Sequence, residues 1–453
     1  MSTISELIQN ALSMIHNIDL TDLQKEEIMN NTVQGWKTHI NPSFLQYRKS
    51  VSNDFALLDW YDAFPGTPWF KDHRGNKYID LLGGYGIYNV GRRHPHVVQT
   101  VQCQLQKQAL HSQELLDPLR VYCAQIMTQI MPSPSLKNFF FTNSGTESVE
   151  ACLKMALVST GRKTIISCVN GFHGKTLGSL ACTSKAVFRK PFLNHLLHII
   201  HVPFNDLQTL EIIFQTSVQI GDPIAGIIIE PIQGEGGIHV ATPEFLKKAR
   251  ELCDQYESIL IFDEVQSGMG RTGKWWACEH DQVVPDLMAI GKAFGGGVIP
   301  AGACVGNDKV WSKYVNDPFL FTTTFGGNPL AMASAIATVD VILREELLKN
   351  TSIRGDQFRK GLIECQSFYP HIVKEIRGRG LMLGIEFQTN EQGIEFSKKM
   401  LENGVLVAGT LSYAKTIRVE PSLTIKEEDV VFVVSRIKKV LSEIHTRYFS
   451  SKL

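Results

Sequence analysis

The chain has 453 residues, more than one hydrophobic core usually supports, so we expect two folding units. Its 43% hydrophobic and 20% charged residues are typical of a globular protein. The formal net charge of zero gives no electrostatic reason to bind nucleic acid or an anionic membrane, so neither partner is expected.

The nine cysteines are scattered and include no Cys-x-x-Cys pair. This pattern favours reduced, buried thiols over a disulfide framework or a zinc site, and no metal is expected. The first residues lack the basic and apolar regions of a signal peptide. No apolar run approaches the ~18 residues of a membrane span. Together these features predict a cytoplasmic protein.

The first seventy residues are expected to form an N-terminal arm. After the capping box Thr3-x-x-Glu6, apolar residues recur at helical spacing, which predicts an amphipathic helix that packs on another surface. The residues of this apolar stripe are Ile4, Leu7, Ile8, Ala11, Leu12 and Ile15. Residues 69–80 follow as a predicted hairpin with its turn near Gly75-Asn76.

Two glycine-rich stretches match a dinucleotide fingerprint only in part. Gly84-x-Gly86 lacks the third glycine, because Asn89 stands in its place. Residues 268–273 spell the full pattern, but the acidic pair Asp263-Glu264 separates them from the preceding strand and no clean apolar helix follows. We interpret both stretches as shaped loops beside a binding site.

Three predicted strands end in small, aromatic or acidic residues. Residues 138–142 lead through Asn143-Ser-Gly-Thr-Glu147 into a helix. The free N–H groups at the start of this helix could bind a phosphate, or the Ser/Thr residues could simply form an N-cap. Residues 164–169 lead to Phe172, a ring suited either to stack on a flat cofactor or to pack in the core. Residues 224–229 end at Glu230.

Two more predicted strands end in an acid and an amine. Residues 260–262 lead to Asp263, and residues 287–290 lead to Lys292. Open α/β sheets bind ligands outside the carboxyl ends of their strands. A lysine there can form a Schiff base with pyridoxal phosphate (PLP), and the acid can keep the pyridine nitrogen protonated. From these two residues alone, a salt bridge between strand ends is an equal alternative.

The pattern changes after about residue 340. Short predicted strands near residues 381–387, 404–408 and 416–420 alternate with helices, which indicates a compact α+β unit. We therefore predict an α/β protein with a mostly parallel central sheet and a smaller domain. The predicted divisions are an arm that includes part of the small domain (1–70), a large domain (71–335) and a C-terminal small domain (336–453).

Joined in this order, the motifs resemble the class III PLP-dependent aminotransferases of fold type I. The stretches that carry the resemblance are Asn143–Glu147, Phe172–Lys175, Glu230-Pro231, Asp263–Gln266, Lys292 and Thr324–Pro329. The resemblance covers nearly the whole chain. Within the class, the flanking sequence is most similar to the putrescine-type enzymes, at residues 41–49, 110–120 and 407–411.

The resemblance implies PLP as the cofactor and assigns the residues around its ring. Lys292 and Asp263 are the catalytic pair, with Lys292 as the covalent anchor and proton carrier and Asp263 as the partner of the pyridine nitrogen. The other residues implied to contact the ring or its substituents are Phe172, His173, Val265 and Gln266. Of these, Phe172 and Val265 sandwich the ring, and Gln266 bonds its phenolic oxygen.

The resemblance also implies the phosphate and substrate contacts. Gly145 and Thr146 bind the phosphate together with the partner subunit's Thr324, so we expect a homodimer with shared active sites and leave open whether dimers pair. Arg418 is implied to clamp the α-carboxylate of 2-oxoglutarate, as a bidentate guanidinium can. Glu230 matches the acid that pairs with this arginine when no carboxylate is bound. Gln113 is a candidate contact for the amine donor.

The implied reaction transfers a terminal amino group from putrescine, and also cadaverine, to 2-oxoglutarate, as in polyamine breakdown. The products from putrescine are glutamate and 4-aminobutanal, which cyclises to 1-pyrroline. Many class III enzymes that bind an α-amino acid carry arginine at the position of Lys175, and its absence here fits a diamine. The alternative is that Lys175 faces solvent or contacts the partner subunit and has no bearing on the donor. The alternatives are an ornithine or acetylornithine aminotransferase, a PLP isomerase or decarboxylase, and a non-catalytic PLP-binding regulator.

Overall fold

The computed structural model describes residues 4–16, 20–43, 64–72, 74–111 and 114–449. The strands in these ranges, β1 to β15 in chain order, are Trp69–Lys71, Lys77–Asp80, Asn138–Thr142, Thr164–Cys168, Ile199–Val202, Ile224–Ile229, Ile232–Gln233, His239–Val240, Ile259–Asp263, Leu287–Ile290, Gly302–Gly306, Val373–Arg379, Met382–Phe387, Val405–Leu406 and Thr416–Val419.

The α-helices in the same ranges, α1 to α14 in chain order, are Ile4–His16, Asp22–Gly35, Pro95–Leu105, Pro118–Ile130, Gly145–Thr160, Leu177–Cys182, Ala186–Arg189, Leu207–Gln219, Pro243–Gln255, Asp308–Val315, Pro329–Arg344, Leu347–Phe368, Asn390–Glu402 and Glu427–Phe449. Short 3-10 turns at Gly83–Tyr85, Lys190–His195, Ala277–His280 and Lys292–Gly295 and a π turn at Trp36–Ile40 complete the described helical structure.

The central sheet confirms the predicted α/β class. Its strand order within the described chain is β3-β11-β10-β9-β6-β4-β5. The pairs β10–β9, β9–β6, β6–β4 and β4–β5 are parallel, whereas β11 runs antiparallel to both of its neighbours. Helix α5 packs on one face, and the apolar strands are buried on both sides, as expected for a sheet of this kind.

The parallel pairing brings the predicted polar strand ends to one edge of the sheet. Strand β9 ends at Asp263 and lies between β10, which precedes Lys292, and β6, which precedes Glu230. Strand β3 points the same way, because β11 is antiparallel to both β3 and β10. The carboxyl ends of these strands therefore meet at the place where open α/β sheets bind ligands.

The C-terminal part forms its own antiparallel sheet, with the order β12-β13-β15. The hairpin β1–β2 was predicted correctly, and β2 pairs in parallel with β14. The hairpin therefore lies beside the C-terminal part, across the predicted boundary at residue 70. The two domain boundaries stay predictions.

Helix α1 forms as predicted, but its apolar stripe is not covered within the described chain. Ile4 is 78% exposed and Ile15 is 67% exposed. The predicted packing of this helix on another surface therefore stays a prediction. None of the helices in the described ranges combines the length and the apolar character that a bilayer span requires.

Candidate active site

The first part of the site is a group of residues at the strand ends: Gly145, Thr146, His173, Asp263 and Lys292, which we call the strand-end cluster. Asp263 lies at its centre and is 5% exposed. Its Oδ2 accepts a hydrogen bond from His173 Nδ1 at 2.8 Å, and its Oδ1 accepts the N–H of Val265 at 3.1 Å. These two donors hold the carboxylate in a fixed orientation at the end of β9.

The pKa of His173 reflects its burial against Asp263. Burial alone lowers the pKa of the imidazole, but the hydrogen bond to Asp263 and the charge of that carboxylate outweigh burial, so the pKa is raised. A histidine that carries a proton on Nδ1 can only donate to Asp263. His173 therefore holds the Asp263 carboxylate in place as a hydrogen-bond acceptor.

Lys292 opens the 3-10 turn after β10 in a strained backbone conformation. Its φ is +45°, in the left-handed region that a residue with a side chain occupies at a cost of about 1–3 kcal/mol. Burial lowers the pKa of its ammonium, and the carboxylates of Glu235 and Glu420 oppose that effect only in part. A lysine with a lowered pKa is more readily neutral, which suits a nucleophile for a carbonyl carbon.

The N-terminus of α5 approaches the same edge because glycines leave room for it. A Cβ on Gly145 would lie 2.5 Å from Cγ1 of Val265, and a Cβ on Gly291 would lie 2.9 Å from Cα of Gly145. Thr146 Oγ1 lies 2.9 Å from Thr176 Oγ1 and 2.7 Å from Ser179 Oγ. First-turn N–H groups beside several hydroxyls form a suitable seat for an anion such as phosphate.

The strand-end cluster fits PLP in the chemistry of its donors. An amine with a lowered pKa matches the aldehyde, a buried carboxylate backed by histidine matches the pyridine nitrogen, and a glycine-rich helix start matches the phosphate. In the described residues, no group of three or more His, Cys, Asp or Glu side chains is arranged to hold a metal ion.

Three other residues predicted to contact the cofactor are Phe172, Gln266 and Thr324. Phe172 follows the strand-end loop of β4, and its ring meets Phe188 edge to face at 6.4 Å. Gln266 Nε2 donates to both carboxylate oxygens of Glu420, each at 3.0 Å. Thr324 is exposed on the loop before α11. The contacts of these residues with a cofactor or a partner stay predictions, and Gln113 lies outside the described residues.

The second part of the site, which we call the arginine cluster, consists of Tyr85, Glu235, Arg418 and Glu420. Arg418 on β15 is fully buried. Its Nη2 donates to Glu235 Oε2 at 2.7 Å, and its guanidinium carbon lies 4.8 Å from the centre of the Tyr85 ring. Burial alone raises the pKa of Glu235, but the charge and hydrogen bond of Arg418 lower it to about 2. The pair is therefore charged at any ordinary pH.

Arg418 still has unused hydrogen-bonding capacity. Its Nε and Nη1 are buried and have no hydrogen-bond partner, and Nη1 is 3.7 Å from the nearest oxygen of Glu420. Buried donors without a partner are rare in proteins. Because Nε–H and Nη1 point away from each other, a bidentate carboxylate ligand would pair Nη2 with one of them and take the place of Glu235 on Nη2.

The predicted pairing of Glu230 with Arg418 is wrong, because Glu235 is the partner. Glu230 Oε1 accepts the N–H of Phe172 at 2.9 Å, and Oε2 accepts the N–H of Gly234 at 3.0 Å. These bonds hold its carboxylate at the end of β6. The chain then continues through β7, and the next turn carries Glu235 to Arg418.

Two residues of the arginine cluster had readable signals that sequence reasoning passed over. Glu235 is an acid between glycines in the turn after β7. Glu420 follows Arg418 by two residues, and in an extended segment residues two apart face the same way. Tyr85 carries no comparable signal.

Lys175, at the position that bears on the donor, lies against an aromatic ring. Its Nζ is 4.3 Å from the centre of the Phe188 ring, and Phe188 meets Phe172. Nearby, Lys185 Nζ bonds the backbone carbonyl of Leu411. The ammonium groups of Lys175 and Lys185 both lie near the Phe188 ring, which in turn contacts Phe172. Neither group has the planar fork of a guanidinium.

The family model described as "Aminotransferase class-III" matches residues 66–441. Among solved structures, the ornithine aminotransferase from Toxoplasma gondii ME49 is similar with 26% identity and a TM-score of 0.82, over 99% of this chain and 100% of that one. A second ornithine aminotransferase structure from Toxoplasma gondii, described as having partial occupancy of PLP at the active site, has 28% identity and a TM-score of 0.80, over 95% and 99% of the two chains.

The acetylornithine aminotransferase from Elizabethkingia anophelis is also similar, with 28% identity and a TM-score of 0.75. The match covers 91% of this chain and 99% of that one. The likeness in all three cases extends over nearly the full length of both chains. It therefore includes both the central sheet and the C-terminal sheet.

Proposed function

The chain belongs to the class III aminotransferases, which use PLP, and on that premise we propose that it transfers the terminal amino group of a diamine to 2-oxoglutarate. The observation that carries the choice of acceptor is Arg418, a buried guanidinium with two unbonded donors, whose charge acts on Lys292. A keto acid bound through its carboxylate to Arg418 would therefore lie beside the reactive amine.

The strand-end cluster performs the chemical steps in this proposal. When bound, PLP supplies a carbonyl that joins an amine and a ring that accepts electrons from the substrate carbon. Lys292 Nζ would hold the cofactor as its covalent anchor and, when free, could carry a proton at the donor carbon. Asp263 holds the proton on the pyridine nitrogen, and His173 positions Asp263. Val265, Phe172 and Gln266 orient the ring.

The phosphate is bound by Gly145 and Thr146 at the start of α5, in our proposal, with the partner subunit's Thr324 as a further contact. The exposure of Thr324 supports a homodimer whose sites are shared. Of the nine free cysteines, eight are buried and only Cys103 is exposed, which supports a reducing, cytoplasmic location.

The arginine cluster allows one site to accept two substrates of opposite charge. While a cationic diamine is bound, Glu235 neutralises Arg418 through the ion pair at 2.7 Å. When 2-oxoglutarate enters, its α-carboxylate replaces Glu235 on the guanidinium. The exchange substitutes one carboxylate for another, so the buried Arg418 guanidinium stays paired throughout.

The donor is proposed to be putrescine or cadaverine, with ornithine or acetylornithine as the second candidate. For the diamine, the supporting observation is that Lys175 lies on the Phe188 ring and no arginine stands in its place. For the second candidate, the support is the similarity to ornithine and acetylornithine aminotransferases at 26–28% identity.

The experiment is a single-turnover comparison of PLP bleaching with putrescine, cadaverine, ornithine and acetylornithine at equal concentrations. We expect the two diamines to react fastest, and 2-oxoglutarate without an amine to cause no bleaching. If ornithine or acetylornithine exceeds both diamines by about tenfold, or 1.4 kcal/mol in barrier height, the diamine is not the preferred donor. Amino transfer itself would still stand in that case.

A further inference from the structure

Glu230 connects two loops that meet at the active site. One of its oxygens accepts the N–H of Phe172 and the other accepts the N–H of Gly234, at 2.9 and 3.0 Å. The residue is 6% exposed, and no Lys or Arg in the described chain forms an ion pair with it. A carboxylate buried in this way is expensive to desolvate, so its two hydrogen bonds have a substantial cost to offset.

Each of the two bonded amides is one residue away from a functional group. Phe172 precedes His173, which donates to Asp263. Gly234 precedes Glu235, which pairs with Arg418 and also accepts the N–H of Leu411 at 2.8 Å. Glu230 therefore stands between the strand-end cluster and the arginine cluster, with one oxygen directed to each.

The two loops are in close contact on the far side of Glu230 as well. A Cβ on Gly236 would lie 2.6 Å from the carbonyl oxygen of Asn170. Gln233 Nε2 donates to the carbonyl of Val169 at 2.9 Å. Because this second bond also joins the loops, the loss of one bond at Glu230 should leave the fold intact.

We propose that Glu230 is a positioning residue that holds the Phe172 loop and the Glu235 turn in register, so that stacking of the cofactor ring and screening of Arg418 are set together. The effect of Glu230 on catalysis rests on the proposed function. The mechanical connection between the loops does not depend on that function.

The chemistry of a carboxylate explains why glutamate stands at this position. Two N–H donors converge on it, and a carboxylate offers an acceptor on each oxygen, whereas an amide side chain offers only one. In Glu230→Gln, one of the two atoms becomes an NH2 that faces an N–H, so one bond is lost while the shape is kept. Glu230→Asp keeps both acceptors on an arm that is one methylene shorter, which cannot reach both amides.

The first test measures hydrogen exchange in the protein without PLP, by mass spectrometry of peptides that contain Phe172 or Gly234. We expect exchange at one of these amides to accelerate at least about tenfold in Glu230→Gln and in Glu230→Asp, since an amide freed from its bond loses about 1.4 kcal/mol or more of protection. Unchanged exchange at both amides in both variants would overturn the proposal.

Glu264→Gln is the matched control. Glu264 is also a buried acid at the end of a central strand, and its carboxylate accepts the N–H of Cys278 at 2.8 Å and the hydroxyl of Ser267. It contacts neither loop through these bonds. Exchange at Phe172 and Gly234 should therefore stay as in the wild type, and an acceleration equal to that in Glu230→Gln would mean that Glu230 has no specific role.

The second test uses the holoenzyme and separates positioning from general stability. In Glu230→Gln we expect the visible circular dichroism of bound PLP to change, and the ratio of the two half-reaction rates to shift by about fivefold or more. A lower melting temperature with an unchanged spectrum and ratio would contradict the proposal. If the wild type transfers no amino group, the proposed function fails, whereas the exchange experiment still decides whether Glu230 joins the loops.

Discussion

The strand-end cluster and the arginine cluster are assembled in opposite ways. Asp263 and Lys292 follow adjacent parallel strands, so the pairing of β9 with β10 is sufficient to bring them together. Arg418, by contrast, lies on a separate antiparallel sheet and meets Glu235 only because the turn after β7 reaches across to it. One cluster is built by the sheet, and the other by tertiary packing.

The two clusters also treat charge differently. In the strand-end cluster, burial lowers the pKa of Lys292 and so favours its neutral, reactive form. In the arginine cluster, mutual attraction keeps Glu235 ionised, with a pKa of about 2, and raises the pKa of Arg418. In the proposed function, the reactive amine is Lys292, whose charge is only partly compensated. The acceptor is bound by Arg418, whose charge is compensated by the carboxylate of Glu235 until the acceptor replaces it.

The strongest test of this contrast is Lys292→Ala. We expect it to abolish borohydride-stable attachment of PLP and to reduce turnover by about 10³-fold or more, since it removes both the covalent anchor and the proton carrier. Lys185→Ala is the control, because burial also lowers the pKa of Lys185. Peptide mapping after reduction should find the label on Lys292 in that control, and a label on any other lysine would refute the assignment.

A second change within the strand-end cluster is Asp263→Ala. It should leave covalent attachment of PLP intact while slowing the donor half-reaction by about 10²-fold, because the charged partner of the pyridine nitrogen is lost. Stopped-flow absorbance measures this rate. Glu264→Gln removes the adjacent buried acid and should have a much smaller effect. Half-reaction rates like those of the wild type in Asp263→Ala would show that another group holds the pyridine nitrogen.

In the arginine cluster, Arg418→Ala should act on one half of the reaction. We expect the 2-oxoglutarate half-reaction to weaken by about 10- to 100-fold, corresponding to a charge-assisted bond of 1.5–3 kcal/mol, with a smaller effect on the amine half. Arg379→Ala is the control, because Arg379 on β12 of the same sheet pairs with Asp281 at 2.8 Å. Equal damage to both halves in Arg418→Ala would count against its role as the carboxylate clamp.

The contrast also explains which parts of the site could be predicted from the sequence. Strand ends are marked by an apolar run that stops at a polar residue, and parallel pairing then places Asp263, Lys292 and Gly145 at one edge. The pairing of Glu230 with Arg418 was wrong because Glu230 and Glu235 are acids only five residues apart, on either side of the short strand β7. Which of the two glutamates reaches Arg418 depends on the path of the backbone in the turn after β7. No local sequence pattern encodes that path.

Glu235→Gln tests the screening of Arg418 and should have a moderate effect. With Arg418 unscreened, 2-oxoglutarate should bind more readily to the form that awaits the amine, so inhibition by excess 2-oxoglutarate should strengthen by about fivefold. Steady-state rates at several concentrations of both substrates measure this. No change in the inhibition would mean that Glu235 does not compete with the keto acid.

The same variant makes a prediction about stability and pH. The pKa of Glu235 is about 2 in the folded protein, below the value near 4.3 of an unpaired glutamate. Its ion pair therefore stabilises the fold fully above about pH 4.3, and this contribution is lost as the pH falls toward 2. The stability difference between the wild type and Glu235→Gln should accordingly be constant near neutral pH and shrink in acid, as measured by urea unfolding.

The smallest effect is expected at Lys175, which lies outside both clusters. Its ammonium rests on the Phe188 ring at 4.3 Å, a contact worth about 0.5–1 kcal/mol at an exposed site. If this contact is its whole role, Lys175→Ala should lower the free energy of unfolding by about 0.5–1 kcal/mol. The ratio of the single-turnover bleaching rates with ornithine and putrescine should then change by less than about threefold. If Lys175 instead leaves the ring to bind a donor carboxylate, the variant should lose ornithine activity selectively, by tenfold or more. That result would make an amino acid, rather than a diamine, the preferred donor, because a lysine that binds a carboxylate has no function toward a substrate that carries none.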